Sequence, residues 1–100
     1  MENNKKIYIS GKITGKLYAD AYEDFAKAEK QWTDANYTVI NPMNLEHDHD
    51  KSWENYMKVD LKAMLDCDSV YMLKCWQDSR GAIIEHNLAQ ELELEIIYEN

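Results

Sequence analysis

Proline is almost missing from this chain and glycine is scarce: one Pro and three Gly in 100 residues. That excludes a collagen-like or low-complexity polypeptide. Positive charge is also in deficit. Eleven Lys and Arg stand against nineteen Asp and Glu, a formal net charge of −8. Phosphate backbones and anionic bilayers require a basic face, so duplex nucleic acid and membrane surfaces are not expected partners. A small phosphorylated ligand needs only a few local donors and stays open. No run approaches the roughly 20 apolar residues of a membrane span. The start, Met1-Glu2-Asn3-Asn4-Lys5-Lys6, lacks the apolar core of a signal peptide, which predicts a cytoplasmic protein. Cysteine occurs twice, as Cys67 and Cys75, flanking the apolar run Ser69-Val70-Tyr71-Met72-Leu73. As a strand that run holds them roughly 25 Å apart. A disulfide needs Cα atoms within about 7 Å, so free thiols in a reducing compartment are expected.

What is present suffices for one core: 45% hydrophobic and 11% aromatic residues, enough for a single domain over residues 1–100. Lys6-Ile7-Tyr8-Ile9-Ser10 reads as a first strand stopping at Gly11. Leu17, Tyr18, Ala21, Tyr22, Phe25, Ala28, Glu29 and Trp32 recur at helical spacing, with Asn36 as punctuation. Tyr37-Thr38-Val39-Ile40 reads as the second strand. Asn41-Pro42 then excludes both helix and ladder, giving a polar loop to about Lys51. Ser52 caps a second helix through Leu65, Asp68 precedes a third strand ending at Leu73, Gly81 opens a third helix continuing past Leu92, and Leu94 to Tyr98 is the last strand. Strands alternating with helices predict right-handed βαβ crossovers. The expected fold is α/β: a three-layer, flavodoxin-like or Rossmann-like sandwich with a four- to five-stranded parallel sheet. Ligands of such sheets bind beyond the carboxyl ends of the strands, where the strand order switches. Ser10 to Gly15, Asn41 to Ser52 and Lys74 to Gly81 should meet there.

Glu85 is the most informative residue. Ala82, Leu88, Ala89 and Leu92 surround it at helical spacing, so a carboxyl group interrupts an apolar stripe. Burial without a task is costly; the alternative is a stripe-edge glutamate reaching water or a lysine. Asp60 repeats the pattern among Tyr56, Met57 and Met64, either at the stripe margin or as a second functional carboxyl, one serving as nucleophile and the other as acid/base or ligand anchor. Ser79 can cap its helix or bond an oxyanion. Arg80, the only arginine, is either a phosphate grip or a solvated loop residue. Gly11-Lys12-Ile13-Thr14-Gly15-Lys16-Leu17 is not a P-loop, since its glycines are too close and Leu17 replaces the Mg²⁺-binding hydroxyl. It reads as a tight turn with free amides for sugar or phosphate. His47-Asp48-His49-Asp50 offers no pre-organised tetrahedral site, so no metal is expected, and the cysteines lack a neighbouring histidine signature for thiol catalysis. Trp53, Tyr56 and Trp76 are core or subunit contacts, or a stacking surface for a base.

Ile7 to Gly15, Asn41-Pro42, Trp53 through Asp60-Leu61, Asp68, and Ser79-Arg80-Gly81-Ala82-Ile83-Ile84-Glu85 with Ala89 together resemble a family of short bacterial and phage proteins, the DUF4406 type. That family resembles a branch of the nucleoside 2-deoxyribosyltransferase superfamily, which includes the 2'-deoxynucleoside 5'-phosphate N-hydrolases. The resemblance implies cleavage or transfer at an N-glycosidic bond of a nucleoside or its 5'-monophosphate. It makes Glu85 the nucleophile at the anomeric carbon, Asp60 a sugar-binding and proton-handling group, Tyr8 a tyrosine beside the nucleophile, and Ser79 a 5'-phosphate contact. Gly11 and Gly81 match its turn glycines, and Ser10, Lys12, Ile13, Asn41, Pro42 and Arg80 complete the expected substrate-binding set. Lys12 stands where the family usually has proline. No metal or organic cofactor is implied, and a homodimer or higher homo-oligomer is expected. The alternative is a non-catalytic nucleotide-binding or sensing module using the same pocket.

Overall fold

β1 (Lys6–Ser10) is the strand from which the rest is built. Its residues Ile7, Tyr8, Ile9 and Ser10 are all buried. Successive side chains of a strand face opposite ways, so Ile7 and Ile9 enter one face of the sheet while Tyr8 and Ser10 enter the other. The computed structural model describes residues 5–45 and 52–100. The chain continues through α1 (Tyr18–Asp34), β2 (Thr38–Ile40), α2 (Trp53–Leu65), β3 (Ser69–Met72), α3 (Arg80–Glu91) and β4 (Glu95–Tyr98). All strand pairs are parallel, in the order β2-β1-β3-β4. Among the described residues, four parallel strands and three α-helices make the flavodoxin-like α/β sandwich expected from the alternation of elements. Among the described residues no helix is long and apolar enough to cross a membrane.

Each face of the sheet has its own core. Under α1 lie Ile7, Ile9, Phe25, Ala28, Tyr71 and Leu73. Under α2 and α3 lie Tyr8, Met64, Cys67, Val70, Met72, Ala82 and Ala89. Burial of such side chains, at roughly 25 cal/mol per Å² of apolar surface, is what holds the layers together. Cys67 is buried, Cys75 is exposed, and both are free thiols.

Helix starts follow local chemistry. Ser52 Oγ accepts from the Asn55 amide at 3.2 Å, and Ser79 Oγ accepts from the Ala82 amide at 3.2 Å, each satisfying a donor that the first turn leaves over. Several details differ from the sequence reading. Asn41-Pro42 does not exclude every helix: a 3₁₀ turn forms over Pro42–Asn44, because proline at a first helical position gives up an amide that has no partner there anyway. α3 does not continue past Leu92. It stops at Glu91, and Glu93 takes a left-handed φ of 57° that turns the chain into β4. The apolar stripe of α1 is not buried throughout, since Leu17, Tyr18 and Tyr22 are exposed. The motif His47-Asp48-His49-Asp50 and the residues Met1 to Asn4 lie outside the described residues.

Candidate active site

β1 separates β2 from β3, so the strand order switches direction beside its carboxyl end. A cavity of about 430 Å³ opens there, within the roughly 300–1,000 Å³ of small-molecule pockets. The three segments that should meet at this point do so: Gly11, Ile13 and Thr14 follow β1, Pro42 and Met43 follow β2, and Ser79 caps α3 with Gly81 in its first turn. The close approach depends on glycine. A Cβ on Gly11 would fall 2.8 Å from the Leu73 side chain, and one on Gly81 would fall 3.0 Å from Met57 Sδ.

Glu85 stands in the first half of α3 and is only 5% exposed. Both oxygens of its carboxyl group are held. The Tyr8 hydroxyl donates to Oε2 at 2.6 Å, and Ser10 Oγ donates to Oε1 at 2.6 Å. These are the short distances of charge-assisted bonds. The same alternation that sends Ile7 and Ile9 under α1 brings the two donors to Glu85. Asp60 of α2 lines the same cavity.

Burial pushes Glu85 up to about 7, against the opposing pull of the Ser10 and Tyr8 hydrogen bonds. Burial, and then the neighbouring Glu85 charge, pushes Asp60 up to about 7. Burial, with Glu85 beside it, keeps the Tyr8 hydroxyl well above its ordinary value of 10.0, so Tyr8 remains a donor. The two donors on Glu85 favour its anion, while the Glu85 charge favours the protonated form of Asp60.

Other residues named from the sequence are placed as follows. Ile13, Pro42, Ser79, Gly11 and Gly81 line the cavity, and Ser10 reaches it through Glu85. Asn41 turns away: its side-chain oxygen accepts from the Met43 amide and its nitrogen donates to Glu29, both at 3.0 Å. Lys12 is half-buried and packs against Gly15, outside the cavity lining. Arg80 is exposed, its guanidinium 4.2 Å from the ring centroid of Trp53, and Trp53 is a cavity wall. Trp76 stacks on His86, with centroids 4.2 Å apart, rather than entering the cavity. Tyr18, Met43 and Met57 are lining residues that spacing alone assigned to helix stripes or to a loop. Among the described residues no group of three His, Cys, Asp or Glu is placed to hold a metal ion.

Residues 5–98 match the model of a family described as a domain of unknown function, DUF4406. No curated protein matches the chain.

Proposed function

The chain belongs to the DUF4406 family, and from the site it builds we propose that it cleaves the N-glycosidic bond of a (deoxy)nucleoside or its 5'-monophosphate, with Glu85 as nucleophile. One observation supports this above all: a buried carboxyl group, held at both oxygens by Tyr8 and Ser10, faces the same cavity as a second carboxyl group whose pKa is raised. Glycosidic cleavage uses two such groups in different protonation states against an oxocarbenium-like transition state.

In the proposed reaction a Glu85 oxygen bonds to the anomeric carbon as the bond to the base nitrogen breaks. The bonding electrons leave with the base, whose nitrogen takes the Asp60 proton. The resulting Asp60 carboxylate then takes a proton from water, or from an acceptor base, as that acceptor attacks the same carbon and releases Glu85. With water the net change is nucleoside plus water giving sugar plus base. Tyr8 and Ser10 hold the nucleophile fixed, so little reorganisation is needed as charge moves. Trp53 and Tyr56 supply an aromatic wall for a base. The exposed Leu17, Tyr18 and Tyr22, at the start of α1, support assembly with further copies, which light scattering tests. The two free thiols support a reducing, cytoplasmic setting.

The test is incubation with a panel of deoxynucleosides and their 5'-monophosphates, followed by chromatography for free base. Release by the wild type and its loss, at least about a thousandfold, in Glu85→Gln is the expected result. Equal release by the Gln variant overturns the nucleophile. Saturable binding with every ligand recovered intact overturns catalysis in favour of a binding module.

A further inference from the structure

Glu29 lies on the same stripe of α1 as Phe25 and Tyr18, four and eleven positions earlier, and both of those enter the cavity. Glu29 itself does not. Its Oε1 accepts from Asn41 Nδ2 at 3.0 Å and from Asn44 Nδ2 at 3.0 Å. Asn41 caps the 3₁₀ turn Pro42–Asn44, and Asn44 is its last residue. Inside it, Asn41 Oδ1 accepts from the Met43 amide, and the Asn41 carbonyl accepts from the Asn44 amide at 2.9 Å. The turn separates two concavities. Pro42 and Met43 face the cavity that holds Glu85, while Asn41, Asn44 and Glu29 line a shallower groove of about 320 Å³ on the other side.

We propose that Glu29 is a positioning residue for the ligand: by gathering both asparagine amides onto one oxygen, it fixes the turn that presents Pro42 and Met43 as a wall of the cavity. The inference rests on the reading of that cavity as the substrate site. β2 is only three residues long, so few ladder bonds hold the segment that leads into the turn. Glu29 adds a hydrogen-bonded tie from α1 to the packing of Met43 against the core on that side. The wall lies opposite Ser79 and Gly81, so its displacement alters how a substrate fits without touching the hydrogen bonds of Glu85.

Glu29→Ala and Glu29→Gln distinguish this from general stability. Both bonds end on one oxygen, so the Gln amide oxygen can accept them and the Ala variant cannot. With methyl-labelled methionine, the Met43 signal, identified by its loss in Met43→Leu, should shift or broaden in Glu29→Ala and stay in place in Glu29→Gln. The Met57 signal, from the far wall, should stay in both. With the 5'-monophosphates of the four deoxynucleosides as probes, Glu29→Ala should raise KM five- to tenfold with kcat within twofold, and Glu29→Gln should keep both within twofold. An unmoved Met43 signal in Glu29→Ala, or a fall in kcat matching the rise in KM, overturns the inference. A shifted Met43 signal in a protein whose wild type turns over none of the probes upholds the positioning role and overturns the proposed activity instead. Should Glu29→Ala fail to fold, Asn44→Ala removes one of the two bonds and must move the same signal by a smaller amount, or the inference fails.

Discussion

The two faces of the sheet are built from the same strand and do opposite things. Under α1, β1 contributes Ile7 and Ile9 to a layer of hydrocarbon and aromatic side chains. Under α2 and α3 it contributes Tyr8 and Ser10, whose hydroxyls end on a buried carboxyl group. The first face gains free energy from the apolar surface it removes from water, at the cost of the buried Trp32 indole N–H. The second includes groups whose burial is unfavourable unless each bond is made. The apolar clusters on both faces thus offset the burial of the Glu85 carboxyl group and the half-burial of Asp60.

Three substitutions or conditions sharpen that contrast, in order of expected size. Ile7→Ala removes a fully buried side chain from the α1 face and should cost about 2–5 kcal/mol in denaturant unfolding. Because no titrating group is involved, the loss should be the same at pH 5 and pH 8; a loss that varies with pH would mean the two faces are not separable.

The second concerns pH. Glu85 and Asp60 have folded-state values near 7, above their ordinary 4.5 and 3.8. The folded state therefore binds these protons more tightly than the unfolded chain. Their contribution is fully present below about pH 4 and is lost as pH rises through 7. Wild type compared with Glu85→Gln reads the Glu85 share together with the part of the Asp60 shift that the Glu85 charge causes: the variant should gain relative stability between pH 4.5 and 7.5, on the order of 3 kcal/mol. A stability difference that is flat across that window would show that Glu85 is not held above its ordinary value.

The smallest is Tyr8→Phe, which removes one of the two donors on Glu85. The Tyr8 bond lowers the Glu85 value, so its loss should move the acid limb of the pH–rate profile upward. Base release should slow about tenfold, the scale of one hydrogen bond to a charged group. An unshifted limb would mean that Ser10 alone sets the protonation of the Glu85 carboxyl group.

Much of this was legible in the chain. The alternation in Ile7-Tyr8-Ile9-Ser10, the helical spacing of α1 and α2, and the glycines at 11 and 81 specify strands, helices and close turns through local sterics. Glu85 and Asp60 stand out because a charged group on an apolar stripe violates the pattern around it. The same signal was present at Glu29, counted within its stripe, yet its partners lie 12 and 15 positions on and nothing local reveals them. Asn41 looked like a ligand contact because it follows a strand, but its amide is taken up by Glu29 and its oxygen by the turn. The end of α3 was misplaced because Leu92 continues the apolar periodicity, while the left-handed φ that stops the helix falls on Glu93, a residue with no special preference for it. Tyr8 gave no sign from spacing at all; its bond to Glu85 joins residues 77 positions apart, and only the family resemblance pointed to it.

Because the donors and the hydrocarbon of β1 alternate residue by residue, its alignment with β3 is proofread by chemistry as well as by packing. A slip of one position would present isoleucines to Glu85 and drive two hydroxyls into the dry layer beneath α1. Both bonds that hold the Glu85 carboxyl group would be forfeited at once, so the same hydrogen bonds that shape the cavity floor also select the correctly aligned strand.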